Sequence, residues 1–292
     1  WHTVDFCIEQ LKEKRNKPFF LACGLSKPHL PWAVPRKYYE HYPLESIQLP
    51  PHRKDDLDDI PAAGVKVAGP EKDHAKFLQS GRWKDAVRSY LATIAYTDMN
   101  IGRLLDAYEK SPERDNTIVV LWGDHGWHLG DHGIWTKHTN YEQATRIPLI
   151  IKAPGVTNEN TYCDQTVETV DLYPTLTALA NLDRKTPKHN LDGKNLSPLL
   201  KDPNYLVKDH IYHSFIRQGN LGEAIRDKRY RMIRWTNLKD KDNVVYELYD
   251  YKNDPDERIN IAKIINKHTP DIETNNKKNK SHLNTTHAPD ER

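Results

Sequence analysis

The feature that most constrains the fold is an alternation between segments of helical periodicity and short, continuous apolar runs. The helical segments are residues 4–14, 83–110 and 170–182. The apolar runs are residues 18–25, 116–122 and 147–151. A strand that is buried on both faces of a sheet appears as a continuous apolar run, because neither of its faces meets water. The alternation therefore predicts an α/β fold with a mostly parallel sheet between helices.

The pattern changes near residue 210, where short strand candidates begin to follow one another with turn residues between them. The candidates are residues 211–216, 223–226, 230–235 and 244–249. They predict a small antiparallel sheet, closed by a helix near residues 256–265. The polar residues that follow predict a disordered tail. The expected division is an α/β portion at 1–208, a β subdomain at 209–267 and a tail at 268–292.

Residues 26–82 separate the first apolar run from the second helical segment. They are rich in Pro, Asp and Gly and hold no sustained period. They predict a long excursion over the surface, at the rim of any site that lies along the edge of the sheet.

Charge and hydropathy exclude two kinds of partner. The 43 basic residues nearly balance the 41 acidic ones, so the chain lacks the basic footprint of nucleic-acid or anionic-membrane binding. No apolar run approaches the roughly 18 residues of a membrane span. Three cysteines, Cys7, Cys23 and Cys163, have no paired spacing, so they leave the redox compartment open. The sequence starts at Trp1 without an initiator Met, and we expect this N-terminus to be a truncation.

Asp124 and His125 are the strongest candidates for metal ligands. They follow an apolar run directly, and open α/β sheets place their ligand sites just beyond the C-terminal ends of strands. A carboxylate and an imidazole together form a metal-binding pair. Gly123 and Gly126 allow the backbone to turn tightly on either side. The alternative is a helix-capping aspartate beside a surface histidine, which an isolated Asp-His pair favours.

Two other segments add cationic groups to this edge of the predicted sheet. Lys137 lies in a loop poor in apolar residues, where an ammonium group is suited to hold an oxyanion. His29 follows the first apolar run, so it emerges at the same edge as Asp124 if the two strands are parallel. Each also has a simpler interpretation, as a solvated lysine or as a loop histidine without chemistry. Lys27 has the same two interpretations.

Four further polar side chains crowd the loop after His125: His128, Asp131, His132 and His138. Each is a candidate metal ligand, orienting partner or substrate contact, and the sequence does not separate these roles. The histidines favour zinc, whereas calcium prefers oxygen ligands, so residue types alone leave the metal open.

Residues 123–137 resemble the second signature segment of the type I sulfatases. Other segments agree with that family in the same order: residues 19–32, 89–105, 170–176, 191–199 and 247–257. Residues 19–32 and 42–46 are most similar to its iduronate-2-sulfatase branch. The resemblance covers almost everything except the tail, and it implies an alkaline-phosphatase-like α/β sandwich.

The resemblance also implies roles for the candidate residues. Asp124 and His125 would help to bind one calcium ion, Lys137 and His29 would contact the sulfate group, and His29 would protonate the leaving alcohol. The expected substrate contacts are Lys27, His128 and His138. The implied activity is hydrolysis of a sulfate ester of a sugar or glycan, in a periplasmic, extracellular or lysosomal compartment.

The nucleophile of the family is a formylglycine made from the Cys or Ser of a Cys/Ser-x-Pro-x-Arg motif. None of the three cysteines lies in such a motif. Ser26 precedes a Lys-Pro pair, but Leu30 stands where the Arg would be. The resemblance therefore places the nucleophile and the remaining metal ligands outside this chain, and we expect the chain alone to be inactive.

Two other functions remain open. A phosphatase or phosphodiesterase of the same superfamily also suits an Asp-His pair after a strand, whereas Lys137 and the Lys-Pro-His loop favour the sulfatase. A non-catalytic carbohydrate-binding relative would use the seven tryptophans and residues 26–82 as a stacking surface. The state of an upstream nucleophile motif distinguishes all three. The oligomeric state is not indicated.

Overall fold

The computed structural model describes residues 2–69, 72–182 and 190–262. Its helices are α1 (His2–Lys12), α2 (Arg36–Tyr39), α3 (Ala62–Ala68), α4 (Asp73–Ser80), α5 (Trp83–Glu109), α6 (Glu142–Thr145), α7 (Leu172–Leu179) and α8 (Ser197–Lys201). Its strands are β1 (Val119–Trp122), β2 (His128–Leu129), β3 (Trp135–Thr136), β4 (Leu149–Lys152), β5 (Ile211–Arg217), β6 (Asn220–Arg226), β7 (Tyr230–Asn237) and β8 (Val244–Asp250).

The three predicted helices are confirmed as α1, α5 and α7. The long helix α5 buries Trp83, Ala86, Val87 and Ala92 along one face. Its N-terminal part packs on the side chains of Trp135 and Ile47, and α1 and α2 lie against it. Spacing of apolar residues by three and four positions forms this stripe, which is why the sequence reveals the helix.

The α/β class is confirmed, but the parallel pairing of the first strands is not present in the described part of the chain. β1 and β4 pair with each other and run antiparallel, with Val119 opposite Lys152. The prediction of a strand at residues 18–25 is corrected, because these residues form no hydrogen-bonded strand. An apolar run indicates burial, whereas a strand also needs a neighbour for its N–H and C=O groups.

All four strands of the predicted C-terminal sheet are confirmed. They form an antiparallel meander in the order β5-β6-β7-β8. Inward residues alternate along β7, where Arg231, Ile233 and Trp235 are buried. Ile233 and Trp235 pack with α3 and with the loop before α6, in a core that also contains Ile60, Val67, Ile134, Tyr141, Ala224 and Tyr249. The sheet is therefore joined to the loop that follows β3.

Residues 26–82, which the sequence predicts to be a long excursion over the surface, contain three short helices, α2, α3 and α4. Pro35 and Pro61 directly precede two of these helices, and Gly69 and Gly81 end α3 and α4 with φ angles of 57° and 66°. Glycine adopts this left-handed conformation readily, so it stops a helix. Helices of four to eight residues are too short to show a sustained period in the sequence.

The C-terminal predictions fall largely outside the described residues. Residues 257–260 are not helical, while residues 263–265 of the predicted closing helix and the tail at 268–292 are not described. Among the described helices, none combines the length and the apolar character that crossing a membrane requires.

Candidate functional site

The backbone at the end of β1 is held in place on both sides of Asp124 and His125. The N–H of Gly123 donates to the carbonyl of Pro148 at 3.2 Å, and the N–H of Gly126 donates to Ala144 at 2.8 Å. A Cβ atom at Gly126 would lie 2.0 Å from a neighbouring carbonyl oxygen, so only glycine fits there. The strand therefore ends in a rigid turn, from which the Asp124 side chain projects with 86% of its surface exposed.

The His125 ring is oriented by its own backbone. Its Nδ1 lies 2.8 Å from the carbonyl oxygen of Gly126. Because a carbonyl oxygen only accepts hydrogen bonds, Nδ1 carries the proton and Nε2 keeps its lone pair. That Nε2 lies 3.4 Å from Oδ2 of Asp124. The pair thus presents Nε2 of the imidazole beside a carboxylate oxygen. The other ring nitrogen, Nδ1, makes a hydrogen bond to the backbone, as is usual in metal-binding histidines.

Trp127 brings three of the predicted site residues together. Its ring centroid lies 5.6 Å from that of His29 and 6.1 Å from that of His125. The Nζ of Lys137 lies 5.7 Å from the same ring, within the range of a cation–π contact. Side chains from three separate segments of the chain therefore surround one indole.

Trp127 was not assigned a role from the sequence. Its position between His125 and His128 in the signature segment was the only signal. The rings of Trp32 and Tyr90 lie 6.2 and 6.3 Å from its own. Its Nε1 is buried and has no hydrogen-bond partner among the described residues. Aromatic rings thus surround the indole, and its Nε1–H group remains available to donate a hydrogen bond.

His29 and Lys27 belong to one loop with different contacts. His29 is exposed, and its Nδ1 donates to the carbonyl of Leu30 at 2.8 Å, which leaves Nε2 as the nitrogen able to exchange a proton. The Lys27 ammonium donates to the carbonyl oxygen of Pro31 and lies 3.4 Å from that of His29. The contacts of Lys27 stabilise the loop, and its contact with substrate stays a prediction.

His128 is not placed as the sequence analysis expected. It is fully buried, with Nδ1 against the carboxylate of Asp131 and Nε2 2.6 Å from the hydroxyl of Thr139. Burial alone would raise the pKa of Asp131, but the charge and hydrogen bond of His128 lower it. Since both ring nitrogens are occupied in the interior, His128 braces the loop, and we do not retain it as a substrate contact.

His132 is also buried, and it stacks on Tyr141 with ring centroids 5.2 Å apart. His138, by contrast, is exposed next to Lys137. Its pKa is lowered by partial burial and then by the positive charges of Arg217 and Lys137. The exposed side of this loop is therefore a cluster of cationic groups, and Lys137 has no ion pair among the described residues.

The C-terminal sheet fixes the loop that carries Lys137 and His138. Asn140 is buried, and its side-chain oxygen accepts a hydrogen bond from His213 Nδ1 at 2.6 Å. Its main-chain oxygen accepts one from Arg231 at 2.7 Å. Arg231 also pairs with Glu142 at 2.5 Å, just after the loop. These contacts join residues far apart in the sequence, so sequence reasoning did not find them.

The structure places Asp124 and His125, the strongest metal-ligand candidates, side by side at the end of β1. Across residues 2–69, 72–182 and 190–262, no group of three or more His, Cys, Asp or Glu side chains is arranged to hold a metal ion. Of these four residue types, Asp124 and His125 are the donors that the described part of the chain brings together at the end of β1.

Two family profiles match the sequence. The profile described as Sulfatase matches residues 2–182, which is more than half of the 292 residues. The profile described as N-sulphoglucosamine sulphohydrolase, C-terminal, matches residues 130–285.

Individual relatives agree with these profiles. A sulfatase of Formosa agariphila is 36% identical over 264 residues, which span 89% of this chain and 49% of that protein. The iduronate 2-sulfatase of Mus musculus is 32% identical over 218 residues, which span 60% of this chain and 38% of that protein. The chain therefore spans about half the length, or less, of these curated relatives.

A solved structure from Bacteroides fragilis, assigned to the sulfatases, is similar to the fold described above. It has a TM-score of 0.71 and 26% identity, and the match covers 90% of this chain and 54% of that one. The expected alkaline-phosphatase-like fold is confirmed by this similarity.

Proposed function

The chain belongs to the Sulfatase family, and on this premise we propose that it contributes the later part of a sulfuric ester hydrolase acting on a sulfated sugar or glycan. The observation that carries the proposal is the convergence of His29, His125 and Lys137 around Trp127. Family membership and the similarity to iduronate 2-sulfatase confirm the resemblance expected from the sequence. The name of that relative supports a sulfated saccharide as the substrate class.

We propose that Asp124 and His125 form part of a site for one calcium ion. The fit rests on the Asp124 carboxylate, which is exposed, and on the lone pair that the contact with Gly126 leaves on His125 Nε2. Calcium takes about six to eight ligands, mostly oxygens, so two donors do not complete its shell. The remaining ligands would come from residues outside this chain. When bound, such an ion would withdraw charge from a sulfate oxygen.

The other residues have separate roles in the proposed reaction. The Lys137 ammonium, which has no competing ion pair among the described residues, offsets the negative charge of the sulfate group. In its doubly protonated form, His29 donates the Nε2 proton to the oxygen of the leaving alcohol, as a nucleophile from outside this chain bonds to sulfur and the bond from that oxygen to sulfur breaks. Trp127 packs beneath both groups and keeps them at fixed positions. His138 and Lys27 remain candidate contacts to the saccharide.

The attacking nucleophile is not among the residues of this chain, because no Cys or Ser lies in a Cys/Ser-x-Pro-x-Arg motif. We therefore propose that the chain alone does not hydrolyse sulfate esters. A periplasmic, extracellular or lysosomal location is likewise a proposal, and it rests on the family alone.

Assays of the complete protein encoded by the gene test this function. We expect release of inorganic sulfate from p-nitrophenyl sulfate and from sulfated saccharides, with much slower hydrolysis of p-nitrophenyl phosphate. Lys137→Ala should lower kcat/KM for sulfate esters by about a hundredfold, because a charge contact in the transition state is lost. Lys110→Ala, at an exposed lysine just after α5, serves as the control. Preference for the phosphate ester would favour the phosphatase, and binding without hydrolysis would favour the carbohydrate-binding relative.

A further inference from the structure

A cleft of about 220 Å³ opens beside the cationic cluster. The C-terminal end of α3, the start of α4, β3 with its flanking residues, and the turn between β5 and β6 form it. Its charged and titratable lining residues are Lys72, Asp73, His138 and Arg217. Ligand pockets for whole drug-sized molecules start at about 300 Å³, so this cleft suits one part of a larger ligand.

Arg217 is the strongest binding group in the cleft. It is partly buried, and it has no carboxylate partner among the described residues. Its positive charge acts on His138, together with that of Lys137. A guanidinium group held beside other cations, with no internal carboxylate to neutralise it, provides several N–H donors for an external anion.

The position of Arg217 is fixed by a tight hairpin. It is the last residue of β5, and Asn220, the first residue of β6, lies opposite it in the sheet. The two residues between them, Gln218 and Gly219, have φ angles of 53° and 79°. Two successive positive φ angles are typical of the two-residue turn that matches the twist of a hairpin.

The hairpin is also tied to the loop that carries Lys137. His213, on β5, donates to Asn140 at 2.6 Å. A Cβ atom at Gly222 on β6 would lie 2.3 Å from Nδ2 of Asn140, so the loop and the strand touch closely there. The backbone positions of Arg217 and Lys137 are therefore held by one unit, which is the arrangement needed to bind two groups of one ligand.

We propose that this cleft binds a second anionic group of the saccharide, a carboxylate or a further sulfate, through Arg217 while the scissile sulfate occupies the site at Lys137. The inference rests on the proposed function and adds a specificity determinant to it. Lys72 contributes further positive charge at the rim. Asp73 also lines the cleft, but its carboxylate lies 3.9 Å from the ammonium of Lys76, which offsets its charge.

The test compares three saccharides that carry the same sulfate ester, using the complete protein. One has a uronate carboxylate, one has that carboxylate reduced to an alcohol, and one has a second sulfate. We expect Arg217→Ala to raise KM by about tenfold for the two dianionic substrates, with little change in kcat, because a charge-assisted contact to the bound ligand is lost. KM for the reduced saccharide should stay the same. Arg217→Lys should retain part of the effect.

Lys239→Ala is the matched control, since this exposed cation lies in the turn between β7 and β8 at the same end of the sheet. An equal rise in KM for all three saccharides would overturn the inference, as would no rise for any of them. If only one of the two anions responds to the substitution, that result identifies the group the cleft accepts.

Direct binding measurements distinguish a failure of this inference from a failure of the proposed function. Titration calorimetry with the uronate saccharide measures its Kd for the wild-type protein and for Arg217→Ala without need of turnover. A protein that hydrolyses no sulfate ester, yet loses about tenfold in affinity in this variant, would retain the anion site and contradict the sulfatase proposal. Equal affinities would overturn the anion site itself.

Discussion

His125 illustrates how a backbone contact determines the chemistry of one side chain. The hydrogen bond from its Nδ1 to Gly126 fixes the protonation of the ring, and the turn at Gly123 and Gly126 fixes its direction. The contact of the ring with Gly126 is local, whereas the turn is held by hydrogen bonds to Pro148 and Ala144. The sequence alone indicated the pair at positions 124 and 125 because a strand ends there between two glycines.

Substitution of His125 tests its role as a ligand. We expect His125→Ala to weaken calcium binding by the complete protein at least tenfold, which is about the minimum effect of disturbing a metal-binding histidine. Titration calorimetry with calcium chloride measures the change. The matched control is His210→Ala, because His210 also pairs with the aspartate that precedes it. Unchanged calcium affinity in His125→Ala would contradict the assignment.

His29 is expected to act on the leaving group, and this role predicts a dependence on leaving-group acidity. His29→Ala should slow hydrolysis of a saccharide sulfate by about a hundredfold or more, since general acid catalysis contributes at least that factor. An aryl sulfate, whose phenolate leaves without a proton, should lose much less. Measured kcat/KM for the two substrates provides the comparison, with the exposed His41→Ala as control. Equal losses on both substrates would assign His29 to sulfate binding instead.

The roles of other site residues could not be predicted from the sequence, because they depend on the fold. His128 has the same side chain as His138, but only the fold shows that one is buried and the other exposed. Arg217 and Asn140 acquire their roles through contacts with segments distant in the sequence. The positions of Lys137 and His29 were predicted because each lies in a short segment with a distinctive local pattern.

At the scale of elements, the C-terminal sheet is a platform for the loop of the candidate site. Glu247 on β8 is completely buried and accepts hydrogen bonds from Trp235 at 2.6 Å, Tyr249 at 2.7 Å and Tyr141 at 2.9 Å. Tyr141 belongs to the segment between the loop and α6. Burial raises the pKa of Glu247 to about 7, although the three donors favour its charged form.

This shift makes stability depend on pH in a defined direction. The folded protein holds the Glu247 proton up to about pH 7, whereas the unfolded chain releases it near the ordinary pKa of 4.5. Between these values the folded state binds more protons, so the free energy of unfolding falls as pH rises, by at most about 3 kcal/mol.

Glu247→Gln should remove this contribution. Urea unfolding of the complete protein at pH 5 and pH 8 measures the free energy of unfolding at both ends of the range. We expect the wild type to lose stability toward pH 8 and the variant to lose less, with Glu223→Gln on β6, which is partly exposed, as the control. The same pH dependence in all three proteins would contradict the role of Glu247.

Helices and strands were predicted correctly where the apolar residues of a single segment repeat at a regular spacing. The four strands of the C-terminal sheet alternate inward and outward residues, and α5 repeats its apolar stripe over 27 residues. Prediction failed at residues 18–25, whose apolar run has no strand neighbour in the described part of the chain, and at α2, α3 and α4, which are too short to show a period. Pairing is a property of two segments, so one segment does not reveal it.

For the whole molecule, the exposed apolar residues of the run at residues 18–25 and of β1 and β4 are informative. Phe20, Trp122 and Ile150 are 85%, 49% and 62% exposed. Trp122 and Ile150 lie on opposite faces of the β1–β4 pair, and large exposed apolar side chains mark surfaces that another structure covers. The chain spans 49% of its Formosa agariphila relative, so we expect further sheet in the complete protein to pack here. We expect the predicted parallel neighbours of β1 to lie in that further part of the sheet.

The division into an α/β portion and a β subdomain at residues 208 and 209 stays a prediction. The core that contains Ile233, Trp235 and Tyr249 of the sheet also contains Ile60 and Ile134 of the preceding portion. Because this packing crosses the expected boundary, we expect the two parts to unfold together in the experiment on Glu247.

The most direct measurement of the central claim is a crystal structure of the complete protein with calcium and a slowly hydrolysed sulfate ester. We predict a calcium ion bound by the Asp124 carboxylate and His125 Nε2, with the sulfate group in contact with Lys137 and His29. A metal bound elsewhere, or a sulfate group that touches neither Lys137 nor His29, would contradict this prediction.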